Sequence, residues 1–288
     1  MYYALILLTT VMFGGCFALN DGFRKVQGSS IKSSLQFSLT GSLAGLLVLF
    51  LINGFKLEFT AFTVILALIA SVNGFVLTFC TFKALDRINL SMYSLFSMLG
   101  GMMLPFLQGI IFYNEKMTLA KWLCFALITV ALLLTVDKGE KKKTGTVYYV
   151  LVFTLNGLHG VLTKFFAEAD FSKTSATGYT GLICFCSAVI SAVLLLTVFQ
   201  KGTEGRKYAF PGIAISAAEG ILNKTANLIL VIALVHVDAS VQYPMITGGV
   251  IIVSTLISLF GVNKPSKKEI LSVIVAFLGL LLLFAIPI

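Results

Sequence analysis

The chain has 288 residues, of which 58% are hydrophobic and 11% are charged, and its formal net charge is +9. Soluble domains carry about 25% charged residues, so this composition excludes an ordinary soluble domain and indicates a surface that faces lipid. Basic residues in such a chain are expected to set topology and contact anionic lipid, so we expect no nucleic-acid partner. Lipid leaves backbone groups without outside partners, which restricts spanning segments to helices or closed barrels.

Ten apolar segments of helical length follow one another along the chain, each long enough for a hydrocarbon core of ~30 Å. They predict an all-α membrane protein with ten transmembrane helices. The predicted spans are Tyr2–Asn20, Ser34–Ile52, Ala61–Phe82, Leu90–Phe112, Leu119–Val136, Val147–Phe166, Ser175–Phe199, Phe210–Val235, Ser240–Gly261 and Ile270–Ile288.

The two halves of the chain repeat each other weakly. The segment "ALDRINLS" at Ala84–Ser91 aligns with "ALVHVDAS" at Ala233–Ser240, and the final spans of both halves match in style. Five spans per repeat is an odd number, so the second half is expected to be inverted in the membrane, a common plan in secondary transporters. The predicted domains are a first five-helix repeat (1–137), a basic linker loop (138–145) and a second, inverted repeat (146–288).

Three local features accompany this 5+5 arrangement: a short loop beginning Ala-Leu after span three, Pro105 in span four, and "YNEKMT" at Tyr113–Thr118 before span five. Together they resemble the drug/metabolite transporter superfamily, and within it the ten-span metabolite-exporter (EamA-like) branch. The resemblance implies ATP-independent transport of a small polar or amphipathic solute across a bacterial-type cytoplasmic (plasma) membrane. The second repeat departs from the pattern, since it has Lys264 where the first has Glu115.

Lysine and arginine are distributed unevenly between the two sets of loops. Fifteen lie in loops after odd-numbered spans, five lie in or beside loops after even-numbered spans, and Lys224 lies within a span. Because cytoplasmic loops carry the excess of basic residues, the count predicts that both termini lie outside. The resemblance implies the opposite orientation, and we follow the charge count because it is a property of this chain.

Span eight places four polar residues near its middle. Glu219, Asn223 and Asn227 fall within about 80° of arc on one face of the helix, and Lys224 lies at the edge of that stripe. Ionisable groups inside a membrane are costly and mark functional sites by default. We therefore predict that these residues bind substrate or a coupling ion, with a structural Glu–Lys bridge as the alternative.

Other spans carry further candidates. In span six, Asn156 and His159 share a face, and an imidazole suits a proton relay or ligand contact. Lys164, near the end of that span, is expected to reach the membrane interface. The remaining candidate lining residues are Tyr243 and Thr247 in span nine, Tyr93 and Ser97 in span four, and Asn73 in span three; interhelical packing is the alternative for each.

These residues favour a secondary transporter of a small polar or zwitterionic metabolite such as an amino acid, with Lys224 attracting a carboxylate and Glu219 an ammonium group or a proton. A proton-coupled multidrug exporter and a non-transporting membrane subunit or lipid-carrier flippase partner are the alternatives. No catalytic spacing, metal-site spacing or phosphate-binding loop is present, so we expect no enzyme activity, metal or cofactor. Besides the solute, the expected partners are the lipid bilayer and protons, in a monomer or homodimer.

Overall fold

A computed structural model describes residues 2–28, 30–56, 58–85, 90–134, 146–198, 208–260 and 266–285. These residues form ten α-helices and no strand, which confirms the predicted all-α class. The helices are α1 Tyr2–Gln27, α2 Ile31–Ile52, α3 Ala61–Leu85, α4 Leu90–Tyr113, α5 Leu119–Leu134, α6 Thr146–Glu168, α7 Ala176–Val198, α8 Phe210–Leu234, α9 Ala239–Phe260 and α10 Lys267–Ala285. The predicted linker 138–145 and Lys264 lie outside the described residues.

Seven of these helices, α1 to α4 and α6 to α8, are long and apolar enough to cross a membrane, and shorter apolar stretches lie in α5, α9 and α10. Their outward faces carry large exposed side chains such as Leu47, Ile65 and Leu196, which are each more than half exposed. Apolar side chains exposed in this number are costly in water and favourable in lipid. The helices therefore indicate a membrane protein.

The helices pack in a pattern that joins the two halves of the chain. Helix α1 packs on α8 and α9, and α6 packs on α3 and α4. Helix α2 lies against α7 and α8, α7 also contacts α3, and the pairs α5·α10 and α4·α9 complete the bundle. If each helix of the first five is exchanged with the helix five places later, each of these pairs maps onto itself or onto another of them, whereas the smaller contacts α5·α9 and α6·α8 have no comparable counterpart among the described residues.

Glycines bring the crossing helices into backbone contact. Gly41 and Gly45 on α2 face Gly220 on α8, where an added Cβ on Gly220 would collide with the backbone of Gly41. Gly100 on α4 meets the backbone of Phe153 on α6 in the same manner. Small residues at such crossings permit the close van der Waals packing on which helix association in lipid depends.

Candidate functional site

Helices α6, α7 and α8 line a small, partly open cavity of about 60 Å³ with mostly polar residues around it. A water molecule needs roughly 10–15 Å³ measured in this way, so the cavity has room for a few waters. Its lining consists of His159 and Thr163 from α6, Tyr179, Thr180 and Ile183 from α7, and Asn223, Lys224, Asn227 and Val231 from α8. Four of the predicted residues, His159, Asn223, Lys224 and Asn227, are thus brought together.

Lys224 is the charged residue of this lining. Its stem packs against α2, where a Cβ on Gly45 would lie 2.5 Å from Cγ of Lys224. Its Nζ makes no hydrogen bond or ion pair with any residue that the structure describes, although His159 and Glu219 are both within electrostatic reach. A cationic group that is held in place by packing and left without a partner is suited to receive a ligand.

The two asparagines form a pair within α8. Nδ2 of Asn227 donates to the backbone oxygen of Asn223 at 2.8 Å and to its Oδ1 at 3.0 Å. His159 from α6 lies beside Asn227. The pair uses both amide protons of Asn227 within its own helix, so this side chain has acceptors but no spare donor for the cavity.

Tyr179 contributes the largest side chain of the lining and is 1% exposed. Its ring stacks on Phe166 with centroids 4.0 Å apart, and its hydroxyl lies near Thr163. Within the described part of the chain that hydroxyl has no hydrogen bond of acceptable geometry. Tyr179 is a weak candidate from sequence alone because nothing in the apolar pattern of α7 distinguishes its ring from the packing aromatics.

Glu219 is separated from this cavity, although it belongs to the same predicted stripe. Its side chain is 8% exposed and has no hydrogen-bond or ion-pair partner among the described residues. The residue packs against α1, where Sγ of Cys16 lies 4.0 Å from the Glu219 backbone oxygen. Glu219 is therefore not one of the cavity-lining residues, and Lys224 is its charged neighbour.

Four other predicted residues lie in hydrogen bonds between helices instead of in the cavity: Asn73, Asn156, Ser97 and Tyr243. Nδ2 of Asn73 donates to the Leu155 backbone oxygen at 3.0 Å, and Nδ2 of Asn156 donates to that of Ser97 at 2.6 Å. The Tyr243 hydroxyl donates to the backbone oxygen of Gly160, one turn from Asn156 on α6, at 3.0 Å. These bonds are the interhelical packing contacts expected of polar groups inside a bundle.

The last two candidates, Thr247 and Tyr93, have no place in the cavity lining. Thr247 is 7% exposed within α9. The backbone of Tyr93 belongs to α4, but its side chain lies outside what the structure describes. For both residues, a role in binding stays a prediction from sequence.

The expectation for Lys164 is wrong. Its side chain is 2% exposed instead of reaching the interface, and its Nζ lies 3.0 Å from Oε1 of Glu115 and 2.8 Å from Oε1 of Glu168. The loop between α4 and α5 returns Glu115 over the end of α6, a contact between residues far apart in sequence. The hydrophobic pattern within one span cannot predict that a loop residue such as Glu115 will pair with the lysine.

No group of three or more His, Cys, Asp or Glu side chains in the described part of the chain has the arrangement of a metal site. No family model matches the sequence, and no curated protein does. A crystal structure of another protein shares the fold with a TM-score of 0.75, covering 96% of this chain and 94% of that chain at 16% identity. This likeness establishes the ten-helix arrangement as a known fold and assigns no activity.

Proposed function

We propose that this protein is a secondary transporter, working as an exporter, of a small polar or zwitterionic metabolite such as an amino acid. The observation that carries the proposal is Lys224, a basic side chain without a described partner in a cavity lined mostly by polar residues between apolar helices. A charge is expensive to keep in lipid, so a solute-binding role accounts for its position better than packing does.

The architecture that we propose is ten transmembrane helices in a 5+5 inverted repeat, as in the EamA-like exporters that the sequence resembles. The exchange relation among the helix pairs supports it, since α1·α8 corresponds to α3·α6 and α1·α9 to α4·α6. In such folds one half rocks against the other around a central site. The cavity lined by α6, α7 and α8, with Gly45 of α2 behind Lys224, is then the second half's part of that site, in a bacterial-type plasma membrane.

The test is solute exchange in proteoliposomes that contain the purified chain, with radiolabelled amino acids as probes. Glu219→Gln and Lys224→Met are expected to abolish exchange while the protein still elutes as a folded species. Lys116→Met, which removes an exposed lysine from the α4–α5 loop, is the matched control and should exchange normally. Full exchange by both site variants would contradict the assignment of the site, and protection of cells against lipophilic dyes would favour a multidrug exporter instead.

A further inference from the structure

The cavity lining has an imbalance between donors and acceptors that bears on the ligand. Its charged member is Lys224, and none of the described lining residues carries a carboxylate. Glu219, the acid expected to receive an ammonium group, packs towards α1 instead. A cationic ligand would meet Lys224 directly, whereas the neighbouring acid, Glu219, lies outside the lining.

The hydrogen-bond donors of the lining that are left for a ligand include two groups on facing helices, Lys224 Nζ of α8 and the Tyr179 hydroxyl of α7. Thr163 and Thr180 donate to backbone oxygens of their own helices at 2.9 Å, and Asn227 uses both amide protons on its neighbour. Lys224 Nζ makes no hydrogen bond or ion pair with a described residue, and the Tyr179 hydroxyl, although near Thr163, makes no hydrogen bond of acceptable geometry with one. Two unused donors, one of them charged, fit the two oxygens of a carboxylate, and charge-assisted bonds of this kind are strong.

We infer that the cavity recognises a small carboxylate through Lys224 and Tyr179, and that an amine on the ligand is not required. The inference rests on the proposed transport function and narrows its substrate to carboxylate-bearing metabolites, with or without an amino group. Ile183 and Val231 supply the apolar part of the wall, which suits a short aliphatic substituent.

Four probes of similar size separate the groups of the ligand: propionate, L-alanine, L-alaninamide and ethylamine. In proteoliposomes, propionate and L-alanine are expected to exchange and the two amines to fail. Tyr179→Phe should weaken apparent affinity for both carboxylates about tenfold, the effect of losing one charge-assisted bond. Tyr149→Phe, whose ring packs on Phe96 outside the cavity, is the matched control.

The outcomes separate this inference from the proposed function. Exchange of the amines without exchange of the carboxylates overturns the ligand class and leaves transport standing. Exchange of no probe by folded protein counts against both. Normal affinity in Tyr179→Phe removes Tyr179 from the site, and thermal unfolding of the same variant reports any loss of stability from its contact with Thr163.

A second inference comes from the end of the bundle where α4, α6 and α8 end. Glu115, 5% exposed in the α4–α5 loop, accepts hydrogen bonds from the backbone amides of Ala239 and Ser240, both at 2.9 Å. The same carboxylate pairs with Lys164 of α6. One residue of the first half therefore holds the start of α9 and the end of α6.

Other contacts at this end also join the two halves of the chain. Lys121 pairs with Asp238 at 2.6 Å, and Oε2 of Glu58 accepts from the amide of Ser175 at 2.7 Å. Breaking a buried ion pair leaves an uncompensated charge and costs several kcal/mol, so such contacts favour one state strongly. The buried pair of Glu115 and Lys164 is the one that is most shielded from water.

We propose that Glu115 and Lys164 form a latch that keeps this end of the transport path closed, and that the latch opens when the site is exposed to that side. The proposal rests on alternating access, but its test needs no transport. Thiol labelling of Thr180→Cys with a membrane-impermeant maleimide reports access to the cavity. Four of the five native cysteines are buried, and labelling of the protein without Thr180→Cys measures the background from all five.

Adding Glu115→Gln to Thr180→Cys should raise the labelling rate several-fold from the α4–α5 side of the membrane, measured with reagent applied to vesicles of both orientations. Glu168→Gln is the matched control, because Glu168 contacts the same lysine from an exposed position one turn along α6. An unchanged rate in Glu115→Gln, with full labelling after unfolding in detergent, overturns the latch.

Discussion

The stem of Lys224 lies directly against Gly45, the second glycine of a Gly-x-x-x-Gly pair on α2. Any side chain at residue 45 would occupy the space of the lysine stem, since a Cβ would lie 2.5 Å from Cγ and 3.0 Å from Cβ of Lys224. The glycine therefore positions the lysine over the cavity as well as allowing α2 and α8 to pack closely.

Gly45→Ala is accordingly expected to displace Lys224 and reduce solute affinity about tenfold or more, since a charge that shifts by an ångström loses much of its hydrogen bond. Affinity is measured by ligand-dependent thermal stabilisation of the purified protein. Gly74→Ala is the control, because a Cβ there meets nothing within 4 Å. Equal affinities in the two variants would contradict a positioning role for Gly45.

Tyr243 is expected to act on stability and not on binding. Tyr243→Phe removes the buried interhelical hydrogen bond to the Gly160 backbone oxygen, at a cost of about 1 kcal/mol. The expected result is a lower melting temperature in detergent with unchanged affinity for solute. A change in affinity without a change in stability would return Tyr243 to the list of binding residues.

The Glu115 carboxyl is expected to make stability depend on pH. Burial opposes ionisation of this group, but the hydrogen bonds from Ser240 and the nearby Lys164 outweigh burial and lower its pKa below the ordinary value of 4.5. The unfolded chain therefore binds a proton more readily than the folded chain. The contribution of this carboxyl to folding stability is fully present above pH 4.5, and it is lost as the pH falls through the lowered pKa of the folded state.

Thermal unfolding of the detergent-solubilised protein between pH 7 and pH 3 measures this dependence. Glu115→Gln should lower stability at pH 7 and flatten the loss at acid pH. The pKa of Glu58 is also lowered, chiefly by the backbone amide of Ser175, but this carboxyl is partly exposed, so Glu58→Gln should have a smaller effect. An equal acid loss in wild type and Glu115→Gln would show that other carboxyls dominate.

Orientation is testable independently of function. The uneven loop charges predict that both termini lie outside, with Glu115 and the contacts around it on the outer side. An alkaline phosphatase fused after Ile288 should then be active, since this enzyme folds only outside the cytoplasm. Activity of a cytoplasmic reporter at the same position would instead support the orientation implied by the resemblance.

Hydrophobic run lengths were enough to predict the helices, because a segment in lipid has few ways to satisfy its backbone. The predicted span Phe210–Val235 matches α8 at Phe210–Leu234 to within a residue. Helical angles likewise predicted that Asn223 and Asn227 share a face, since both lie within one regular helix. These properties are local, so a single sequence is sufficient to derive them.

Contacts between helices were beyond such reasoning. The sequence alone determined the helical membrane class, the positions of the helices and the polar group in α8, since each depends on residues a few turns apart. Only the tertiary structure decided that Lys224 faces the cavity while Glu219 faces α1, and that Glu115 binds Lys164 and the start of α9. These pairings depend on how separate helices cross. The glycines at those crossings contact residues of other helices, and the hydrophobic pattern within one helix does not predict such contacts.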